Sequence, residues 1–590
     1  MEDKTSPVKG RYWTLEDMNT ECASIVSGAH ACMKETALPA PRSTRINGCE
    51  WWSKKIAQLQ ARLKTIRGYI RKWAYKRLWR DLPDTPANRM KYSFEDLKQA
   101  RRAFKKACRK AKKSHWRQML ADIRSAAATA HFSRRLNKEH NAEIGLFTKP
   151  NGQRCNVEET LDLLKDTHFP GNTTTKPVPT QPMASVVDIK SKKAAFITPE
   201  RVKTVIQSFK PRKGAGPDGL KPAVFQQFGP QALMRLTNLF KASYLFGVQP
   251  EHFKQVRVIF IPKADRPDYS VAKAHRPISL MNFIMKIMEK LLLWHHEDTV
   301  LIGNPLEQEQ HGFIKAKSCD SALTTVVSHA EYALARNEYC VLALLDVEGA
   351  FDNATYQSMV TPLREKGTPE NYISWILDFL QGRKSTIHVK GVHRELYHTR
   401  GTPQGGCTSP YLWNCVINEL IKLVKPLEGL QIVCYADDVA LETKGSDLLD
   451  CVNRLQRGID AVEQWAAAHS LKLSHSKSEI LLLTQKRKYF SIVESTPKLR
   501  VGGTPVHYAV GPVRYLGVWL DRQLSWNDHV RIKCAKVKKL LMKAIKSSGS
   551  WWGLRPYQGL YFWEALGRSV LSYGCLVYNT AQEKHQFGNA

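Results

Sequence analysis

The sequence predicts an α+β fold with a compact sheet, and three observations carry this prediction. Strand-like apolar runs occur at 256–263, 340–347 and 431–438. Helical stretches at 281–298 and 446–470 alternate with them, which favours helices packed on a sheet. A long, strongly basic and helical segment precedes this region and predicts a separate N-terminal extension.

The N-terminal elements come first. Residues 1–50 show no apolar periodicity, and we expect them to be disordered. From Trp52 to Trp73, apolar residues recur at steps of three and four, which is typical of one buried helix seam. LPDTPAN at 82–88 ends this helix, and a second helical stretch is predicted from about 94 to 123. The two stretches predict a basic helical hairpin.

The middle and the end of the chain follow. We expect a basic helical extension over 51–140 and a linker over 141–195, where TTTKPVPTQP is rich in Thr and Pro. Beyond the α+β region, residues 527–590 are again basic and helical (VRIKCAKVKKLLMKAIKSS).

The charge of the chain indicates a polyanionic partner. Its formal net charge is +35, from 89 basic and 54 acidic side chains. Residues 51–118 contain 22 Lys and Arg against 4 Asp and Glu, a net charge of +18. Trp and Tyr are interleaved with these charges, so nucleic acid is favoured over a membrane surface, although a merely solvated basic face is the alternative.

Cysteine usage and hydropathy indicate an intracellular location, in the nucleus, the cytoplasm or both. The thirteen cysteines form no C-x-x-C pair and no zinc-like cluster with histidines. The N-terminus lacks the apolar core of a signal peptide, and we expect no transmembrane segment and no membrane partner. KKACRKAKK at 105–113 could be a nuclear import signal or a basic face for nucleic acid.

Acidic side chains interrupt two strand-like runs. Asp346 ends the run at 340–347, and Asp437 and Asp438 stand side by side after Tyr435. A buried unpaired carboxylate is costly, so three such groups at neighbouring strand ends predict a site for a hard divalent cation, above all Mg²⁺. Two ions there could support phosphoryl transfer to a hydroxyl. Taken singly, the Asp pair could be an ordinary hairpin turn and Asp346 a strand-ending residue.

Basic and glycine-containing segments surround these carboxylates in sequence. Lys263 follows a strand and Arg276 follows a polar loop, as triphosphate contacts would. Gln404 and Gly405 open a loop before a helical stretch, where backbone could approach a nucleotide closely. Lys477 lies on a turn between apolar runs and could protonate a leaving pyrophosphate.

An ordered set of segments resembles the polymerase motifs of a reverse transcriptase from a non-LTR, LINE-type retrotransposon, with a looser likeness to insect elements before residue 200. The resemblance spans about 200–580 and rests on these segments: RKGAGPDGLKP (212–222), HRPISL (275–280), EQHGFIKAKSC (309–319), ALLDVEGAFDN (343–353), GTPQGGCTSPYLWN (401–414), CYADDVAL (434–441), LKLSHSKSEILLL (471–483) and VRYLGVWLD (513–521).

The resemblance implies roles for individual residues. Asp346, Asp437 and Asp438 match the metal-binding triad, with Asp438 as the weaker ligand. Phe351 matches the steric gate that excludes a ribose 2′-hydroxyl, although it could be a plain core aromatic. Lys477 matches the proposed general acid, with His475 or a merely solvated lysine as alternatives.

Further roles concern the nucleotide and the primer. The resemblance implies that Gln404 and Gly405 support the incoming dNTP and that Lys263 and Arg276 hold its triphosphate, unless the two are ordinary surface cations. The segment Tyr515, Leu516 and Gly517 matches the strand that grips the primer end. Gly216 to Gly219 match a fingers motif of unassigned chemistry, and we expect structural hydrogen bonding from Asp352.

The implied architecture is a right-hand polymerase with an N-terminal basic helical extension. We expect fingers at 196–285, a palm at 286–522 and a helical, possibly shortened thumb at 523–590. The implied activity is RNA-directed DNA synthesis with two Mg²⁺ ions, for which Mn²⁺ could substitute, on an RNA template with a DNA primer and dNTPs.

Departures from the family pattern leave alternatives open. We expect no endonuclease domain before the polymerase and no zinc knuckle or RNase H domain after it, as in a fragment of a longer polyprotein or a decayed copy. The chain could be a catalytically inactive nucleic-acid-binding remnant. An RNA-dependent RNA polymerase would share the aspartates, but Phe351 argues against it. Template, target site and oligomeric state are not indicated by the sequence.

Overall fold

The structure is a computed structural model. It describes residues 10–36, 51–79, 92–121, 123–125, 127–130, 132, 145–149, 151–178, 180–263, 266, 268–546 and 556–578. The strands are β1 (Tyr12–Thr14), β2 (Val186–Asp188), β3 (Gln255–Pro262), β4 (His275–Met281), β5 (Tyr339–Asp346), β6 (Lys384–Val389), β7 (Val392–Tyr397), β8 (Leu430–Tyr435), β9 (Asp438–Gly445), β10 (Glu479–Leu483), β11 (Leu499–Val501), β12 (Thr504–Val506), β13 (Val513–Tyr515) and β14 (Val518–Leu520).

The described α-helices are α1 (Leu15–Thr36), α2 (Lys54–Trp79), α3 (Phe94–Ala121), α4 (Val157–His168), α5 (Pro199–Gln207), α6 (Pro222–Phe225), α7 (Pro230–Phe246), α8 (Phe283–Gly303), α9 (Cys319–Ala335), α10 (Ala350–Asn353), α11 (Tyr356–Glu365), α12 (Glu370–Gly382), α13 (Ser409–Val424), α14 (Leu448–Ala468), α15 (Tyr489–Ser495), α16 (Asn527–Lys546), α17 (Pro556–Phe562) and α18 (Ser569–Leu571). A π-helical turn at Trp563–Arg568 joins the last two. None of the described helices is long and apolar enough to cross a membrane.

Backbone contacts divide the chain into two compact units. We call Met1–Lys34, Asn141–His529 and Gly574–Ala590 the sheet unit, and Glu35–His140 and Val530–Tyr573 the helical unit.

A four-stranded antiparallel sheet, the central sheet, organises the sheet unit. Its strand order is β10-β5-β9-β8. Alternate side chains along β5 enter two different cores: Val341 and Ala343 lie in the core with α13 and α14, whereas Cys340 and Leu342 lie in the core with α9. Because helices cover both faces, β5 reads as a continuous apolar run rather than an alternating one. The predicted mixture of helices and a compact sheet is confirmed.

A second four-stranded sheet has the order β4-β3-β6-β7. Strands β3 and β4 are antiparallel, β3 and β6 are parallel, and β6 and β7 form a hairpin. Three two-stranded ribbons complete the strands of the sheet unit: β1-β2, β11-β12 and β13-β14.

The expected disorder of residues 1–50 is wrong for the described residues 12–36. Strand β1 pairs with β2, and helix α1 buries one apolar face in the core of the sheet unit. That face carries Met18, Cys22, Ile25 and Ala29, at the steps of four, three and four residues of a helix. The pattern was overlooked because Cys and Ala are weak signals of a buried face.

The expected linker at 141–195 also contains regular structure. Helix α4 buries Leu161 and Leu164, and a capping box joins the Asn156 side chain to the Glu159 backbone and the Glu159 side chain to the Asn156 backbone. Strand β2 lies in the same interval. The Thr- and Pro-rich composition of 173–182 therefore describes one loop and not the whole interval.

The helical unit contains two long helices, α2 and α3, in the segment for which a basic hairpin was predicted. Helices α2 and α3 pack side by side, and Ile56, Leu63, Ile66 and Ile70 of the predicted seam are buried. Near the open end of the hairpin, the rings of Trp52 and Phe104 lie 6.1 Å apart. The Lys and Arg side chains of α3 at 101, 102, 105, 106, 109 and 110 are exposed. The segment 82–88 that was predicted to end the first helix lies outside the described residues.

Candidate active site

The two adjacent aspartates lie at the tip of the β8–β9 hairpin. Tyr435 pairs with Asp438, so Ala436 and Asp437 form a two-residue turn, and Ala436 adopts the left-handed conformation with φ 56°. The indole Nε1 of Trp413 donates to the Ala436 carbonyl at 2.9 Å. A Cβ atom on Gly312 would lie 2.3 Å from the Ala436 nitrogen, so glycine is required for this close approach. The tip is thus held from two sides.

Asp346 lies directly across from this hairpin. It is the last residue of β5 and pairs in register with Asp438 on β9. Residues opposite each other in an antiparallel pair project from the same face, so two of the three carboxylates share one edge of the central sheet and Asp437 adjoins them. The ligand atoms of the three do not all lie within 4.8 Å of one another.

The carboxylates of the hairpin are exposed but partly desolvated by surrounding protein. Burial raises the pKa of Asp437, and the nearby Asp346 raises it further, while its own backbone N–H, Arg276 and Lys477 oppose the change. Burial, Asp437 and Asp346 together raise the pKa of Asp438 to about 6. Like charges collected at one edge make this a site that a cation would stabilise.

A lysine lies directly on the first aspartate. The Lys477 Nζ is 2.7 Å from Asp346 Oδ2, in a contact between strand ends 131 residues apart. The Lys477 backbone N–H donates to Ser474, whose own N–H donates to the Asp346 carbonyl. Lys477 is therefore part of the acidic cluster, whereas the neighbouring His475 is a solvent-exposed side chain.

The two cations expected to hold a triphosphate approach the same place. Arg276 on β4 pairs with Ile261 on β3, and it acts on the pKa of Asp437. Burial lowers the pKa of Lys263, and the positive charges of Arg266, Arg276 and Lys477 lower it further. Lys263 Nζ donates to the Lys273 carbonyl at 2.9 Å. Arg276 and Lys477 are thus close enough to affect the pKa of Asp437, and Lys263 is close enough to interact with both of these cations.

Phe351 lies on α10, five residues after Asp346, and is half-buried. Its ring centroid is 5.7 Å from that of Trp413, and 6.3 Å from the perpendicular ring of Phe313. Because Trp413 also hydrogen-bonds the hairpin tip, the gate candidate and the aspartates share one support.

The loop that begins at Gly401 is fixed against β4. The Gln404 carbonyl accepts from the Ser279 N–H at 2.8 Å. Gly405 has φ +123°, and a Cβ there would lie 2.9 Å from the Ser279 carbonyl oxygen. The Gln404 side chain donates to both oxygens of Asp352 at 3.3 and 3.4 Å, so the structural hydrogen bonding expected of Asp352 is present.

Two buried charged residues that the sequence reasoning missed support this loop. Glu289 on α8 accepts from the Thr408 hydroxyl at 2.7 Å and from the Cys407 N–H at 3.1 Å, and burial raises its pKa. Arg383 is 3% exposed and donates to the Gly401 carbonyl. A single acidic residue in the apolar segment MNFIMKIMEKLLLW was an available signal for Glu289.

The predicted primer-contacting segment forms the turn of a hairpin. Tyr515 ends β13, and Leu516 and Gly517 follow with positive φ values of 43° and 85° before β14 begins. The Tyr515 side chain is 3% exposed, and burial raises its pKa, with Asp438 contributing. The buried ring of Tyr515 therefore places this hairpin close to Asp438.

The predicted fingers motif is a turn that packs on the start of α8. A Cβ on Gly216 would lie 2.5 Å from the Asn282 side chain, whose oxygen also accepts from the Asp218 N–H at 3.3 Å. The Asp218 carboxylate lies 3.5 Å from the ring of His252. The contacts described are structural.

Parts of the chain are similar to known proteins. Residues 261–520 match the family model described as reverse transcriptase (RNA-dependent DNA polymerase). The RNA-directed DNA polymerase from mobile element jockey of Drosophila melanogaster is 26% identical over 401 residues, covering 66% of this chain and 42% of the relative.

A second relative covers more of the chain. The retrovirus-related Pol polyprotein from type-1 retrotransposable element R1 of Bradysia coprophila is 24% identical over 539 residues, which are 90% of this chain and 50% of the relative. The chain thus spans half or less of the length of these curated relatives. Residues 261–520 therefore match the reverse transcriptase family model, and the chain is similar to proteins of insect retrotransposable elements that include RNA-directed DNA polymerases.

Proposed function

We propose that this chain is an RNA-directed DNA polymerase that adds dNMP units to a primer 3′-hydroxyl during retrotransposon replication. The observation that carries the proposal is the pairing of Asp346 with Asp438 beside Asp437, inside a domain that matches reverse transcriptases. Its substrates are an RNA template, a DNA primer and dNTPs.

Enzymes of this family depend on divalent metal ions in general. The donor set fits Mg²⁺ because all three candidate ligands are carboxylates, which are the hard oxygen ligands that this ion prefers. Burial and the neighbouring carboxylates raise the pKa of Asp437 and Asp438, and a bound cation would offset both effects, which supports the fit. We propose that Asp346, Asp437 and Asp438 would hold the Mg²⁺ ions, two in number, with Asp438 as the weaker ligand.

When bound, such ions acidify the primer hydroxyl and neutralise charge on the leaving pyrophosphate. The chain's own residues position the substrates. Lys263 and Arg276 would bind the triphosphate. Arg276 lies close enough to Asp437 to affect its pKa, and Arg276 and Lys477 both affect the pKa of Lys263, so the cations lie around the aspartates where a triphosphate would bind. The Lys477 ammonium, which pairs with Asp346 in the free chain, would turn to the pyrophosphate and donate its proton.

The remaining contacts concern selection and placement. Phe351 would exclude a ribose 2′-hydroxyl with a ring held by Trp413. Gln404 and Gly405 would support the base pair, since Gly405 lets the backbone approach closely. Tyr515, Leu516 and Gly517 would hold the primer end beside Asp438. The base is chosen by pairing to the template, so the protein supplies shape and charge rather than base readout.

We further propose the right-hand arrangement, with fingers at 196–285, the palm at 286–522 and a helical thumb from 523. The helical unit would bind nucleic acid through the exposed cations of α3, whose spacing along one helix suits a phosphate backbone.

Primer extension on an RNA template with Mg²⁺ tests the proposal. Wild type should extend the primer with dNTPs, and Asp437→Asn should lose at least roughly a thousandfold in rate, because the charge that holds the metal is removed without a change of shape. Asp460→Asn, an exposed aspartate on α14, is the control and should retain the wild-type rate.

The same assay separates the alternatives. Equal extension by wild type and Asp437→Asn would contradict the metal mechanism. RNA binding without extension by any variant would favour an inactive binding protein. Incorporation of rNTPs as readily as dNTPs would favour an RNA-dependent RNA polymerase.

A further inference from the structure

A second cluster of metal-ligating side chains lies within the sheet unit, away from the three aspartates. It consists of His329, Cys340 and Glu442, whose nitrogen, sulfur and oxygen ligand atoms all lie within 4.8 Å of one another. Among the described residues, no other group of three His, Cys, Asp or Glu side chains has all its ligand atoms within 4.8 Å of one another. Sequence reasoning missed it because the members are separated along the chain and match no known zinc spacing.

The fold brings these side chains together from three elements. Cys340 on β5 and Glu442 on β9 are diagonal neighbours, since Leu342 pairs with Glu442 and Cys340 pairs with Lys444. Both therefore project from the face of the central sheet that α9 covers. His329 lies on α9 and points its ring towards the carboxylate, with Nδ1 at 3.4 Å from Glu442 Oε2.

The buried carboxylate lacks the partners that it needs. The Glu442 side chain is 1% exposed, and neither of its oxygens has a hydrogen-bond partner within the part of the chain that the structure describes. The nearest group is the His329 Nδ1, which lies 3.4 Å from Glu442 Oε2 and opposes the rise that burial causes in the pKa of the carboxyl, but this distance is longer than that of a good hydrogen bond. Leaving an ionised carboxylate in this state is expensive, so the site is set up for a cation.

We propose that His329, Cys340 and Glu442 bind one zinc ion. Imidazole, thiolate and carboxylate are all zinc ligands, whereas a thiolate is a poor ligand for Mg²⁺. Two ligands at roughly 2.1 Å from a tetrahedral ion are about 3.4 Å apart, which matches the observed His329–Glu442 separation. The charge of Zn²⁺ balances one thiolate and one carboxylate, so the loaded site is neutral and tolerates burial.

The environment leaves a path for entry and a fourth position. His329 lines an open pocket of about 440 Å³ together with Lys444, Arg454 and Glu309. The Lys444 ammonium lies over the Tyr332 ring at 4.0 Å. Water can therefore reach the histidine side and complete the coordination, while Cys340 and Glu442 remain inside.

The site would fasten α9 to the two strands that carry the catalytic candidates. Asp346 lies six residues beyond Cys340 on β5, and Asp438 lies four residues before Glu442 on β9. Binding at the shared face would stabilise the strand pair and would release the thiol proton of Cys340.

Cobalt and zinc binding to the full-length, tag-free chain tests this inference. Co²⁺ should produce the near-ultraviolet charge-transfer band of a cobalt–thiolate bond, at one ion per chain, and Zn²⁺ should displace it. Cys340→Ala should lose the band, and Glu442→Gln should bind at least roughly tenfold more weakly. Cys434→Ala, a buried cysteine on β8, is the matched control and should keep the band.

Two further measurements keep the test decisive. Asp437→Asn should retain the band, which separates this site from the aspartate cluster because carboxylates give no thiolate band. Zinc should raise the melting temperature of wild type and Cys434→Ala but not of Cys340→Ala. If Cys340→Ala fails to fold, the surface-facing His329→Gln decides instead.

Absence of the band in wild type, or equal binding by Cys340→Ala and Cys434→Ala, would overturn the proposal. A band of unchanged intensity and affinity in His329→Gln would also overturn it, since the histidine would then not be a ligand.

Discussion

At the scale of single residues, the adjacent aspartates differ in their surroundings. Asp437 occupies the turn and is acted on by the cations Arg276 and Lys477. Asp438 is in the strand, opposite Asp346, and the charges that act on its pKa are both negative. Burial raises the pKa of both carboxylates, but only Asp437 has cations nearby that oppose the rise, and this supports the proposal that Asp437 is the stronger metal ligand.

Asp352 should make stability depend on pH. Burial raises its pKa from 3.8 to about 7, although Arg383, Gln404 and Lys263 oppose the shift. The native chain thus holds a proton that the unfolded chain releases, so the free energy of unfolding falls as pH rises from about 4 to about 7. Urea denaturation in EDTA should show wild type losing about 3 kcal/mol relative to Asp352→Asn between pH 5 and pH 8.

The sign of that pH effect does not depend on how much the substitution itself costs, because only the change with pH is compared. Asp460→Asn on the surface should show no change relative to wild type across the same interval. A constant difference between wild type and Asp352→Asn at both pH values would contradict the raised pKa.

Phe351 should control the choice of sugar. Its ring is held between Trp413 and Phe313, so Phe351→Ala opens space beside the reacting nucleotide without removing a charge. The ratio of rNTP to dNTP use should rise on the order of tenfold or more, measured as kcat/KM for each nucleotide. Phe490→Ala removes an exposed ring on α15 that does not contact Phe351 and should leave this ratio unchanged, and equal ratios in the two variants would contradict the gate.

At the scale of elements, α8 determines the position of the loop that carries Gln404. Glu289→Ala would leave the Cys407 N–H and the Thr408 hydroxyl without their acceptor, and should cost about 2–4 kcal/mol in the free energy of unfolding. KM for dNTPs should rise more than kcat falls, since the loop supports binding. Glu297→Ala, an exposed glutamate two turns along α8, should change stability by less than about 0.5 kcal/mol.

Strands and helices, and the residues at which they end, were predictable where the local sequence pattern determines the structure. The apolar runs before Asp346 and Asp437 predicted β5 and β8, which the structure contains, and the charged residues that follow these runs predicted a metal site. The lone glutamate in an apolar helix was a signal for Glu289, but nothing local indicated its partners, which lie 118 and 119 residues away, or the bond from Arg383 to the Gly401 carbonyl. Helix α1 was missed because its buried face contains Cys22 and Ala29 beside Met18 and Ile25.

At the scale of the whole molecule, contacts join segments that are distant in sequence. The helical unit combines 35–140 with 530–573, and its described apolar core includes Leu120, Phe132, Ala544 and Phe562. The sequence suggested an N-terminal extension and a C-terminal helical region as separate parts. Pairing between such distant segments leaves no local pattern, so periodicity identified the helices but not their association.

The charge of the helical unit should appear as salt-dependent RNA binding. Lys105, Lys106 and Arg109 are exposed on α3, and replacing all three with Gln removes three candidate cations for phosphate binding while preserving helix propensity. Each phosphate that is no longer neutralised should reduce the slope of log K against log salt by roughly 0.7 for single-stranded RNA, about 2 in all. Fluorescence anisotropy of a labelled RNA over a salt series measures this slope.

The matched control replaces the exposed Lys190, Lys192 and Lys193 of the sheet unit with Gln, removing the same charge elsewhere. Equal changes of slope in both triple variants would mean that net charge alone, and not the face of α3, binds the RNA.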